Sequence, residues 1–234
     1  MSIKVSKAAV SIKKNRLTLT IAEKISKKSI DNLYTEIRFC VADLKPGFDV
    51  ITDLSACTLA ALSSFPTFRK ITNHLIDSRV GRVVRVIDET KIIKKQLLNL
   101  SARSQSYRAD IFSSVEAADE YLSNSDDNSG LHFQLHELPV NYTYKGKQGT
   151  GVVEFLSVNE CEVQSATLEL EVGAKIMLSI KFDTHENLLE RLEASSQIIG
   201  VEGSSFCARF EDVDDANKEQ LWERLVHESQ CELT

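Results

Sequence analysis

The five cysteines of this chain, Cys40, Cys57, Cys161, Cys207 and Cys231, are odd in number and widely spaced, with no C-x-x-C and no histidine at metal-ligand spacing. That pattern excludes a disulfide framework and a zinc hook, and it leaves free thiols that pack as small residues. No apolar run approaches the roughly 20 residues that cross a bilayer. The opening "MSIKVSKAAVSIKKNR" lacks the continuous apolar segment of a secretory signal, so no membrane insertion and a cytoplasmic location are expected. A phosphate-cradling glycine loop, a recognisable acid/base pair and a metal cluster are all missing. We therefore expect no enzyme, no catalytic residues, no metal and no cofactor.

What is present suits a soluble two-domain protein. The chain has 234 residues, 42% of them hydrophobic, enough for two modest cores. Charge divides it: residues 1–130 hold 20 Lys and Arg against 15 Asp and Glu, whereas residues 131–234 hold 8 against 19. The halves thus carry +5 and −11. Between them "LSNSDDNSG" (122–130) is polar and without apolar periodicity, which reads as a linker. The expected organisation is a first domain over 1–124, a linker over 125–131 and a second domain over 132–234.

The first half alternates strands and helices. "RLTLTIA" has the two-residue period of a strand, and the next segment places Ile30, Leu33, Tyr34, Ile37, Val41 and Leu44 on one helical face, ended by "PGF". "DVITDL" reads as a buried strand, "SSFPTFRKITNHLI" as a helix, "GRVVRVID" as a strand, and a third helix is expected from about Lys91. "YRADIFSS" is the last strand, before a helix opened by a Ser113/Glu116 capping box. This alternation implies a mostly parallel sheet covered by helices. Arg79, Arg82 and Arg85, with Lys91, Lys94 and Lys95, make a basic concentration. Without interleaved aromatics it reads as a solvated strand edge and helix face, and no DNA partner is expected. His74 reads as a surface or packing residue.

The order of these elements, with "DLSACT" closing a central strand and a serine pair opening the next helix, resembles the STAS family and its SpoIIAA-like relatives, the anti-sigma-factor antagonists. The resemblance covers about residues 8–124. It implies a protein-binding module in which a kinase phosphorylates a serine of a D-S-S-G loop. Here Ala61-Leu62-Ser63-Ser64-Phe65 stands in that place, without the acidic residue and the glycine. Ser63 and Ser64 are the candidate phospho-switch. The competing reading is a plain helix start, with serine as N-cap and Pro66 in the first turn.

The second half reads as β-rich. "HFQLHEL", "GVVEFLSV", "CEVQSATLEL", "AKIMLSIKF", "RLEASSQIIGV" and "SSFCARF" are short segments bounded by turn residues, with "VEGS" as a hairpin turn. A closing helix carries Leu221, Trp222, Leu225 and Val226 on one face, and Trp222 is expected to pack on the barrel. The order resembles the PilZ domain, a six-stranded barrel with a terminal helix that in many bacteria binds cyclic di-GMP. The ligand motifs of that family are R-x-x-x-R ahead of the barrel and [D/N]-x-S-x-x-G within it.

Neither motif is intact in this chain. Ser157 matches the serine, Phe155 replaces the acid or amide, Glu160 replaces the glycine, and "LHFQLHELPVNYTYKGKQGTG" contains no R-x-x-x-R. Arginine reads phosphates and guanine edges with paired hydrogen bonds that lysine cannot copy, and residues 131–234 hold only Arg191, Arg209 and Arg224. If a divergent nucleotide site survives, the resemblance puts it at Lys145, Lys147, Ser157 and Asn159.

The whole reads as an α/β STAS-like sheet-and-helix domain followed by a mainly β PilZ-like barrel with a C-terminal helix. The expected function is a non-catalytic bacterial signalling or adaptor protein acting through a protein partner. The alternatives are a cyclic di-GMP effector with a divergent site and a phospho-switched antagonist of an anti-sigma factor.

Overall fold

The computed structural model describes residues 5–60, 62–88, 107–124 and 129–231. The helix expected from Lys91, with Lys91, Lys94 and Lys95, lies outside the described residues. The chain divides into two compact units, one holding most of the first half and the other residues 129 onward. Tyr107 and Arg108 belong to the second unit. Tyr107 pairs antiparallel with Phe133, and the Arg108 amide donates to the His132 carbonyl at 2.8 Å.

The first unit runs β1 (Lys7–Ser11), β2 (Arg16–Thr20), β3 (Lys24–Ile25), α1 (Lys27–Ala42), β4 (Phe48–Asp53) and β5 (Leu59–Ala60). A single 3₁₀ turn (Leu62–Ser64) leads into α2 (Phe65–Asp77), β6 (Val80–Val86), β7 (Asp110–Phe112) and α3 (Val115–Asn124). Its main sheet has the order β1-β2-β4-β6-β7. In this sheet only β1 is antiparallel to its neighbour; the other pairs are parallel.

Helix α1 starts where Ser26 and Ser29 cap each other. The Ser26 hydroxyl accepts from the Ser29 amide at 3.2 Å, and the Ser29 hydroxyl accepts from the Ser26 amide at 3.0 Å. Its buried stripe is Ile30, Leu33, Ile37 and Val41, four of the six residues that the periodicity indicates. β4 is buried from Phe48 through Ile51, as expected of a central parallel strand covered on both faces. Helix α3 starts differently from expectation: Ser114, not Ser113, accepts from the Ala117 amide, at 3.1 Å.

The basic stretch also reads differently in three dimensions. Arg82 grips the buried Asp49 with two hydrogen bonds, 3.1 Å from Nε and 3.0 Å from a terminal nitrogen, and donates to the Leu122 carbonyl at 3.0 Å. Arg16, also buried, bridges Asp49 at 3.5 Å and Asp119 at 2.5 Å. Two strand arginines thus serve an internal network that ties β2, β4 and β6 to α3. A period-two strand pattern cannot distinguish such an arginine from a solvated one.

The second unit contains β8 (Phe133–Tyr144), β9 (Lys147–Leu156), β10 (Glu160–Gln164), β11 (Lys175–Lys181), β12 (Arg191–Glu202), β13 (Ser205–Phe210) and α4 (Asp215–Cys231). The six strands close into a barrel, β10-β13-β12-β11-β8-β9, with every pair antiparallel. Closure removes the open edges that a sheet of this size would otherwise present.

Strand β8 continues six residues past Leu138, where the sequence reading stops. Pro139 pairs with Val152 in the regular register that resumes after the β8/β9 slip between Gln134 and Leu138, and it lies one residue beyond the β8/β11 pairing, which ends at Val140. The turn that follows is Lys145-Gly146, with φ of 49° and 76°, the paired positive values of a tight hairpin. Gly149 lies opposite Tyr142, whose ring occupies the space a β-carbon would need, at 2.5 Å. Tyr142 packs edge-on to Phe206 at 5.3 Å in the barrel core. Trp222 on α4 packs edge-on to Phe133 at 5.5 Å, and Leu221 and Leu225 are fully buried beside it.

Candidate binding face of the barrel

The turn joining β9 to β10 is built by Ser157. Its amide donates to the Glu160 carbonyl at 2.9 Å, and its hydroxyl accepts from the amides of Asn159 (3.2 Å) and Glu160 (3.0 Å). The same hydroxyl donates to the Glu160 carbonyl at 3.2 Å, and the residue has no exposed surface. Ser157 is therefore a turn residue rather than a strand serine, and its hydrogen-bonding capacity is used within four residues. The Asn159 main-chain carbonyl ties this turn to the end of β13 by accepting from the Phe210 amide at 2.8 Å.

Glu160 stands at the head of β10 and gathers the polar groups around it. Nε2 of His132 lies 2.9 Å from one carboxylate oxygen, and Arg209 on β13 reaches the other at 3.2 Å. Burial disfavours the charged carboxylate, but the hydrogen bond and charge of His132, then those of Arg209, outweigh it and hold Glu160 below the usual carboxylate value. Two residues on, Glu162 accepts from Arg108 at 2.9 Å, and the Arg108 guanidinium lies 5.3 Å from the centre of the Phe155 ring. This face thus pairs two guanidiniums with two carboxylates.

Burial and charge disfavour the thiolate at the two nearby cysteines. Burial pushes Cys161 well above the ordinary thiol value, and burial followed by the charges of Glu162 and Glu160 pushes Cys207 up as well. A nucleophilic or metal-binding cysteine needs the opposite shift.

The four residues nominated for a divergent nucleotide site do not come together. Lys145 and Lys147 sit at the β8/β9 hairpin, whereas Ser157 and Asn159 sit at the far end of β9. The ten residues of that strand amount to about 30 Å of chain. Lys145 instead faces Glu171 at 3.6 Å and lies over the Tyr144 ring. Arg108, His132 and Glu162 carry no signal in the sequence, and Phe155 enters there only as a departure from the family motif. Arg108 precedes β8 by 25 positions and was grouped with the first half; the Tyr107–Phe133 pairing, invisible to periodicity, brings it to the barrel.

In the first unit, Ser63 is exposed and Ser64 has no exposed surface. Ser64 occupies the N-cap position of α2 with helical φ and ψ of −84° and −16°, and its side chain makes no cap hydrogen bond. Its hydroxyl is buried without a partner. The expectation that the pair caps the helix through a side chain is therefore not met. The 3₁₀ turn runs straight into the helix, so Ser64 lacks the extended backbone from which a capping hydroxyl reaches forward. Pro66 occupies the first turn, as expected.

Comparison with known proteins gives the following likenesses among solved structures. The PilZ domain of CeSA from a cellulose-synthesizing bacterium matches over 38% of this chain and 89% of that one, at 22% identity and a TM-score of 0.30. The Bacillus subtilis inhibitor of motility matches over 38% of this chain at 11% identity and a TM-score of 0.34; the matched part spans 46% of that protein. An uncharacterized Legionella protein matches over 41% of this chain and 90% of its own, at 14% identity and a TM-score of 0.27. No protein-family model matches the chain, and no curated protein does. Among the described residues no helix is long and apolar enough to cross a membrane.

Proposed function

We propose that this is a non-catalytic bacterial adaptor of the cytoplasm, in which a STAS-like α/β unit binds a protein partner and a PilZ-like barrel has lost its usual cyclic di-GMP contacts. The barrel reading rests on the sequence resemblance together with six closed antiparallel strands and a C-terminal helix. The single observation that carries the loss is the pairing of Arg108 with Glu162 and of Arg209 with Glu160. A phosphate ligand would have to displace a carboxylate from each guanidinium, against the acidic balance of the second half.

Titration calorimetry of the full chain with cyclic di-GMP tests this reading. The expected result is no saturable heat at micromolar concentrations; a stoichiometric isotherm would replace the adaptor reading with an effector. One observation favours that second reading: Arg108 lies over an aromatic ring, Phe155, on the same face as Arg209, and a guanidinium on an aromatic platform is a surface on which bases stack. A phosphorylation switch in the first unit is a further alternative, and the exposed Ser63 supports it better than Ser64 does.

A further inference from the structure

At another place on the barrel unit, the loop joining β11 to β12 is fastened to α4. The buried Arg224 donates to the Asp183 carbonyl at 2.8 Å, lies over the Phe182 ring at 5.1 Å and is ion-paired with Glu228. Beside this anchor, His185 of the loop meets His227 of the helix with ring centroids 4.6 Å apart and planes at 57°.

That geometry is neither of the arrangements that aromatic quadrupoles favour, which are parallel-offset and edge-on. It does agree with two imidazoles sharing one ion. With each ligating nitrogen at about 2.0 to 2.1 Å from the ion, the centroids lie about 4.5 Å apart for ligands at right angles and about 5.2 Å apart for tetrahedral ones. We propose that His185 and His227 form a binding site for a divalent transition-metal ion of the zinc, nickel and copper class, which clamps the β11/β12 loop to α4. The inference is independent of the proposed adaptor function.

Three features support it. Imidazole is a preferred ligand for these ions, whereas calcium and magnesium take oxygen. The surroundings attract cations: the loop carries Asp183, Glu186 and Glu190 on a half of the chain that totals −11, Arg224 is matched by Glu228, and Arg191 at the end of the loop by Glu193. The two histidines come from elements 42 positions apart in sequence, so an ion between them would crosslink the unit rather than decorate one helix. Among the described residues no group of three ligating side chains is present, so water completes the coordination and the affinity is modest.

Calorimetric titration of the full chain with zinc chloride, repeated on His185→Ala and His227→Ala, tests the proposal, with thermal melts showing that each variant is folded. We expect one zinc ion per chain, a melting temperature that rises with zinc, and the loss of at least about a tenfold in affinity in either variant, since even losing an outer-shell partner of a metal site costs about 10- to 100-fold. Zinc heat that is absent from the native chain, or that persists unchanged in both variants, overturns the assignment; the second result would place the ion away from the two histidines.

Discussion

The carboxylate of Glu160 lies 2.9 Å from Nε2 of His132, and this contact joins the residue just before β8 to the head of β10. Glu160 is mostly buried, and its folded pKa is depressed below the ordinary carboxylate value of about 4.3. The stabilisation that this shift represents is complete above the unfolded value and is lost as pH falls through the folded one. Glu160→Gln should therefore lower stability by about 1 to 3 kcal/mol at pH 6. The gap to the native protein should close below about pH 4. Urea denaturation at both pH values checks it, and a gap that widens on acidification contradicts the assigned partners.

If internal carboxylates silence the arginines of this face, removing them should unmask an anion site. Glu160→Gln combined with Glu162→Gln, which is nearly isosteric, leaves Arg108 and Arg209 without their acidic partners. The double variant should bind cyclic di-GMP at least about tenfold more tightly than the native chain, a gain of about 1.4 kcal/mol, in calorimetry at low salt. If affinity is equal in both proteins, the absence of binding has another cause, namely the unmatched geometry of the missing motifs.

The legibility of the sequence followed its local physics. Helix α1 was readable because Ile30, Leu33, Ile37 and Val41 repeat at helical spacing, and the six barrel segments because turn residues bracket them. β1 was missed: "KAAVS" has too little alternation to announce an edge strand, and its partner β2 defines it. The barrel face depended on long-range register. Arg108 and Glu162 lie 54 positions apart, so no window of sequence could join them, and Glu160, seen first as the loss of a glycine, acquired a role only when His132 and Arg209 converged on it. Ser64 failed in the opposite way, because a residue type that favours N-caps was placed in helical backbone.

The Asp49 network supplies a contrast between buried and exposed charge. Asp49 is held between Arg16 and Arg82, all three with little exposed side chain. Asp119 is 36% exposed and meets Lys14 and Arg16. Asp49→Ala should cost about 3 to 5 kcal/mol, because it removes the carboxylate that Arg82 grips and one of the two acidic partners of the buried Arg16. Asp119→Ala should cost about 1 kcal/mol or less, since its Lys14 contact is open to solvent and only the Arg16 contact is inside. Chemical denaturation of the two variants gives the order directly, and equal losses would remove the network from the account of this unit.

The serine pair of "LSSF" makes the last prediction, and burial decides it. Ser64 contributes no cap bond, and its hydroxyl is enclosed without a partner, so Ser64→Ala should not destabilise and should gain up to about 1 kcal/mol by removing an unpaired buried polar group. Ser64→Asp should destabilise by several kcal/mol, because an isolated carboxylate would be taken out of water even at a helix start. Ser63 is exposed in the same turn, and Ser63→Asp should leave stability within about 0.5 kcal/mol of the native chain. A phosphate at this helix start therefore has to be carried by Ser63. Thermal melts of the three variants, with pull-downs from the native bacterium using Ser63→Asp, separate the roles. A partner lost in Ser63→Asp with an unchanged melting point makes Ser63 the switch; a lowered melting point for Ser64→Ala would mean that Ser64 caps the helix after all.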